Sequence, residues 1–204
     1  MQFIILIFVI VACFILYKMF KGLSRTKKTK PKALKIENVD VGGVIHLRNI
    51  GSNLDEFDLT IIAKHLYRQG NYYWTELECD NGKDKVWLEL ENDDDELEVS
   101  ITLKKIKLTD LNLTNKKLVK IENDDDGEII YNNRKYYYED SGKAEFLKHA
   151  DKNSPEVYYF WDFEADDEKH FISIEKWTDN AYDVSTSEAI KLSQIEVFSL
   201  NNEE

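Results

Sequence analysis

From residue 57 onward, apolar and polar residues alternate with a period of two along much of the chain. Phe57, Leu59, Ile61 and Ala63 fall on one side, with Asp58, Thr60 and Lys64 on the other, and His65 continues the apolar side. Val86, Leu88 and Leu90 alternate with Trp87, Glu89 and Glu91, and Leu97, Val99, Ile101 and Leu103 with Glu98, Ser100, Thr102 and Lys104. Successive side chains of a strand point to opposite faces, so this pattern predicts antiparallel strands with one apolar and one polar face. Turn signals separate the runs at Gly42-Gly43, Gly51-Ser52-Asn53 and Asn81-Gly82. Asn132-Asn133, set between EIIY and RKYYY, suits a two-residue hairpin. Helical signals are sparse: Thr114 to Ile121 predicts one or two turns capped by Thr114. The expected fold is mainly β.

The strand pattern reads twice. YYWTELE (72–78), VWLELE (86–91) and LEVSITLKKIKL (97–108) are echoed by YYFWDFEADDEKHFISIEKW (158–177) and YDVSTSEAIKLSQIEVF (182–198). Trp74 aligns with Trp161, Glu78 with Glu164, and Glu91 with Glu175. The pattern predicts two similar antiparallel β barrel or sandwich units produced by internal duplication, at 36–110 and 124–200. A connector at 111–123 joins them and a short tail, 201–204, follows. Units of about 75 residues have marginal cores alone, so the two are expected to pack together. The competing reading is that short β segments of similar composition match by chance.

Ahead of the strands stands FIILIFVIVACFILY (3–17), without a charge. With Met1, Gln2, the snorkelling Lys18, Met19 and Phe20 it makes a segment of about 30 Å as a helix, the thickness of a bilayer core. Residues 1–20 are therefore expected to be a transmembrane helix, and 21–35 a basic juxtamembrane linker. A cleaved signal peptide would open with a basic region that Met1-Gln2-Phe3 does not supply. Ile10-Val11-Ala12-Cys13 loosely resembles a lipoprotein cleavage motif with Cys13 as the lipidated residue, although the apolar run continues to Tyr17.

Charge sharpens this division. The 204 residues carry 27 basic and 39 acidic side chains, a net −12. All acids lie after residue 35, while the first 35 residues hold eight basic side chains: Lys18, Lys21, Arg25, Lys27, Lys28, Lys30, Lys32 and Lys35. The leader is thus +8 and the body −20. Lysines next to an apolar span favour the cytoplasmic face and anionic headgroups. The expected arrangement is single-pass, with the N-terminus outside and the body in the cytoplasm. An acidic body lacks the basic footprint that nucleic acid requires. Cys79 has no body partner for a disulfide, which agrees with a reducing compartment.

Candidate chemistry is thin. Asp93, Asp94 and Asp95, and Asp124, Asp125 and Asp126, are weak candidates for Ca²⁺ or Mg²⁺. Aligning Gly127 with the glycine of a calcium-binding EF-hand loop places Asn133 where a bidentate glutamate is needed, so that motif fails. Solvated turn charge is the competing reading. His46, His65, His149 and His170 lack zinc spacing, and LECDNG around Cys79 reads as an ordinary strand end. Trp74, Trp161 and Tyr136–Tyr138 either line a groove or fill cores. Trp74, Glu78, Glu91, Trp161, Glu164 and Glu175 form a candidate binding surface if their faces converge. No catalytic motif or cofactor fingerprint is present, and none is expected.

The strand Tyr73-Trp74-Thr75-Glu76, followed by Val86–Glu91, and the segment YYFWDFEADD…FISIEKW resemble a bacterial family known as domain of unknown function 4178. The resemblance runs from about Ile36 to Phe198 and implies a β-rich accessory protein, found near membrane proteins and polyamine-related enzymes; it transfers no catalytic residue. With the anchor, these readings place the protein in the bacterial inner membrane as a non-catalytic adaptor or accessory subunit of a membrane-associated complex, its partner another membrane protein or a basic protein. The alternative is a small-cation or polyamine binder. An enzyme ranks third, and its mark would be a pocket where carboxylates with shifted pKa values converge.

Overall fold

Wherever the sequence alternates, the chain runs extended. The computed structural model describes residues 34–93, 96–177 and 181–199. The expected span at 1–20 with Cys13, the lysines and arginine from Lys18 to Lys32, the candidate ligands Asp94 and Asp95, and the tail at 201–204 lie outside the described residues. Among the described residues no helix is long and apolar enough to cross a membrane.

The strands are β1 (Val44–Ile50), β2 (Asp55–Gln69), β3 (Tyr72–Asp80), β4 (Lys85–Asp93) and β5 (Glu96–Ile106). After the helix α1 (Asn115–Asp124) come β6 (Glu128–Tyr131), β7 (Arg134–Leu147), β8 (Glu156–Ala165), β9 (His170–Lys176), β10 (Tyr182–Ala189) and β11 (Ile195–Ser199). Thr114 caps α1 as its sequence position predicts: its side chain accepts the Lys117 N–H. The Asn132-Asn133 turn also forms, with Tyr131 opposite Arg134 and both asparagines at positive φ (49° and 61°). That geometry matches the twist of the flanking strands, and asparagine tolerates it.

All eleven strands belong to one antiparallel sheet in the order β11-β1-β2-β3-β4-β5-β10-β9-β8-β7-β6, with an additional pairing of β2 to β7. The fifteen residues of β2 serve two neighbours on one edge: Asp55 to Thr60 pair with β1, and Leu66 to Arg68 pair with β7. The second pairing closes β2-β3-β4-β5-β10-β9-β8-β7 into a ring of eight strands. The expected pair of separate β units is thereby corrected to one sheet. Each half alone would leave β2 or β7 and β5 or β10 with unpaired backbone. Pairing β5 with β10 and β2 with β7 satisfies those groups.

The apolar faces point away from the ring's interior and are covered from outside. Leu77, Cys79, Leu88, Leu90, Val99 and Ile101 pack with Ile45, Leu47, Leu59 and Ile61 beneath β1 and β11. On the other flank Trp161, Phe163, Ile172, Ile174 and Val184 pack with Leu111, Leu113, Ile129 and Leu118 of α1. Leu88 and Leu118 are fully buried, and truncating either to alanine costs roughly 2–5 kcal/mol. A bulge between Ile61 and Ala63 adds one residue to β2 against β3, so Ile61 pairs with Cys79 and Ala63 with Glu78. Before the bulge β2 therefore feeds the first core, and after it His65 and Tyr67 face the ring's interior.

Candidate functional site

The polar faces of the alternating strands meet one another. From β3 come Trp74, Glu76 and Glu78, from β4 Trp87, Glu89 and Glu91, and from β8 and β9 Asp162, Glu164 and Glu175. They line a lumen of about 1410 Å³ whose wall carries twelve acidic side chains against three lysines. One end is aromatic. Tyr67 stacks on Trp74 at 5.4 Å between ring centroids and Tyr158 on Trp177 at 4.9 Å, while Tyr67 meets Tyr158 edge-on at 5.9 Å. Phe146 closes against both Tyr67 and Trp177.

Four carboxylates dominate the electrostatics. Glu76 and Glu89 stand directly opposite on β3 and β4. Loss of hydration raises Glu76 to about 7, against the attraction of Lys105 and a 3.3 Å hydrogen bond donated by the Tyr67 hydroxyl. Glu89 rises to about 8, chiefly by burial and then by the charges of Asp162, Glu91, Glu76 and Glu175. Asp162 reaches about 7 by burial, opposed by a hydrogen bond from Ser173. Glu175 reaches about 8 by burial, opposed by Lys105 and reinforced by Glu76, Asp183 and Asp162. Removing water from a carboxyl group disfavours its charged form, and neighbouring negative charge adds to the effect. Lys105 donates to Asp183 at 2.7 Å and lies 5.4 Å from the Trp87 ring centroid. Burial holds the Tyr67 and Tyr158 hydroxyls protonated well above their ordinary range.

The other lumen carboxylates differ. Glu78 accepts from Lys85, which draws its pKa down, and lies 3.4 Å from His65 Nε2. His65 Nδ1 accepts the His149 N–H at 3.1 Å, so the imidazole is neutral with its proton on Nε2. Burial lowers its pKa. Tyr72 donates to Glu91, and burial raises Glu164.

Of the sequence candidates, Trp74, Glu78, Glu91, Glu164 and Glu175 line the lumen, and Trp161 does not. Tyr158, Phe160, Asp162 and Glu164 take the inward positions of β8, so the odd-numbered Trp161 points into the outer core at 2 % exposure. Glu76, Glu89, Asp162 and Lys105 were missed, although each glutamate lies two residues from a named candidate on the same face. Asp124 ends α1 and pairs with Lys120, and Asp125 is the left-handed cap. Among the described residues no group of three or more His, Cys, Asp or Glu is set to hold a metal ion. His46 pairs with Asp58 and His170 with Asp167. Cys79 is buried and its thiol is pushed up to about 12, so it is inert.

Residues 53–192 match the family described as Domain of unknown function (DUF4178). The chain belongs to this family. The DUF4178 match contains all eight ring strands together with α1 and β6, whereas β1 and β11 lie outside it. The lumen is therefore a feature of the DUF4178 portion of the chain. Searches of curated proteins and of solved structures gave no match.

Proposed function

We propose that this protein is a non-catalytic, membrane-tethered binding module whose lumen takes a small organic polycation of the polyamine class. The observation that carries this reading is the convergence of Glu76, Glu89, Asp162 and Glu175 beside an aromatic floor, with Lys105 as their nearby counter-charge. Ammonium groups spaced along a methylene chain would each find a carboxylate, while the methylenes lie on Trp74 and Tyr67 and one ammonium sits over an aromatic face. A compact divalent ion needs six to eight oxygens at one point, whereas these carboxylates are spread around a wide lumen.

The apolar segment at 1–20 and the lysines at 21–35 support anchoring in the bacterial inner membrane with the body in the cytoplasm. Tethering raises the module's effective concentration toward a membrane-associated complex, so presenting the cation to such a complex is the accessory role we infer. Internal duplication is supported by the repeated order of β1–β5 and β6–β10: a hairpin into a long strand, then three meandering strands, paired reciprocally through β2–β7 and β5–β10.

Isothermal titration of the full chain in lipid nanodiscs with spermidine tests the lumen reading. Affinity should rise between pH 6 and pH 9 as the carboxylates ionise, and Glu89→Gln with Glu175→Gln should weaken it at least about tenfold, about 1.4 kcal/mol. Absence of heat at pH 8.5, or unchanged affinity in the double variant, overturns it. The same raised carboxylates favour a second reading, general acid–base catalysis. Turnover of an added substrate that is abolished by Glu89→Gln would select that reading instead.

A further inference from the structure

A second concavity lies on the opposite side of β8 from the lumen, between that strand and α1. Lys143, Tyr159 and Lys176 stand directly opposite one another on β7, β8 and β9, so their side chains share one face and form a cross-strand row. Asn115, Val119 and Glu122, spaced four and three residues apart, present one side of α1 as the facing wall. Together with Val157 and Trp161 they bound a groove of about 520 Å³.

Two features there are unexplained by the fold. The Trp161 indole Nε1 is buried without a hydrogen-bond partner, the sole such side-chain atom among the described residues. An unpaired buried donor costs about 1–3 kcal/mol, and the great majority of such groups are satisfied. The second feature is charge. In a body of net −20, this groove holds two lysines that have no carboxylate partner among the described residues. Lys176 donates only to Asn115 Oδ1 at 3.1 Å, besides lying over the Tyr182 ring. The acid of the groove, Glu122, is engaged by the Tyr159 hydroxyl. Val119 and Val157 remain 41 % and 45 % exposed, leaving apolar surface open beside the lysines.

We propose that this groove, which shares Tyr158 and Trp177 with the lumen wall, is a second ligand site that takes a small apolar monocarboxylate. The carboxylate lies between the Lys143 and Lys176 ammonium groups, the apolar body covers Val119 and Val157, and the Trp161 N–H gains an acceptor. Glu122 shares the lining, and its negative charge disfavours a phosphate dianion more than a monoanion. The volume is large enough to admit a ligand of phenylpropionate size.

The test uses the full chain in a neutral detergent with ¹⁵N-labelled tryptophan, which gives four indole N–H resonances, that of Trp161 assigned from Trp161→Phe. Titration with 3-phenylpropionate should move the Trp161 resonance saturably at millimolar concentration or below, and leave that of Trp74 in place. Lys143→Gln with Lys176→Gln should weaken binding about tenfold or more, as should replacing the acid by 3-phenylpropionamide. The Trp74 and Trp87 resonances report that the variants remain folded, and Lys143→Gln alone serves where the pair does not. An unmoved Trp161 resonance, or equal binding of acid and amide, overturns the proposal. Because spermidine acts on the lumen and Trp74, failure of either reading is seen separately.

Discussion

Glu89 faces Glu76 across one ladder, and Asp162 and Glu175 act on it from the other half of the ring. Four carboxyl groups crowded in this way resist ionising together, and each stores repulsion in the folded state once it does. Glu89→Gln keeps the shape and removes one charge. It should therefore raise the urea midpoint of the full chain at pH 8.5 and change it little at pH 5, where Glu89 is already protonated. A lower midpoint at pH 8.5 would show that the ionised carboxylate is held by favourable contacts instead. Glu78, Glu91, Glu164 and Glu175 were legible as candidates because they recur at matched places in the two halves. Glu89 reads in the sequence as a polar alternate and Glu76 as part of the family motif, while Trp161 matches Trp74 by type although its parity along β8 turns it outward.

Within single elements, the local signals served well. The Thr114 cap, the Asn132-Asn133 hairpin and the alternation of β4 and β5 each formed as expected, since a cap, a tight turn and a pleat depend on neighbouring residues only. The bulge in β2 leaves no mark on the hydrophobic pattern. Odd-numbered residues are buried on both sides of it, Leu59 and Ile61 in the outer core and His65 and Tyr67 in the lumen. The hydrophobic period continues unbroken while the face changes. Deleting Ile62 should remove the extra residue while leaving Ile61 opposite Cys79 and Ala63 opposite Glu78, so the remaining side chains of β2 keep their faces. The expected outcome is retention of the near-ultraviolet circular dichroism signal and of cooperative unfolding; loss of both would show that the ring needs the local bend and twist that the bulge supplies.

Closure of the eight-stranded ring rests on a short seam: three residue pairs between β2 and β7, supported by Arg68, whose Nε donates to Glu145 at 2.6 Å. The lumen it encloses also sets how the protein responds to pH. The folded pKa values of Glu76, Glu89, Asp162 and Glu175, at about 7 to 8, lie above those of the unfolded chain. Between roughly pH 4 and pH 8 the folded state thus binds more protons, and stability falls as pH rises through that window. The thermal midpoint of the full chain should drop from pH 5.5 to pH 9, and spermidine should recover it at pH 9 by supplying the missing positive charge. A midpoint that rises across this range would contradict the crowding of the four groups.

The sequence by itself determined which faces of β4 and β5 are apolar and which polar, where the turns fall, and that acidity is confined to the part after residue 35. These are properties of nearest neighbours and composition. Only the tertiary structure decided that the polar faces look inward. That depends on β5 pairing with β10 and on Arg68 meeting Glu145, contacts between distant parts of the chain that no local pattern encodes. Alternation says that one face is polar; ring closure decides whether that face meets bulk water or eleven other carboxylates.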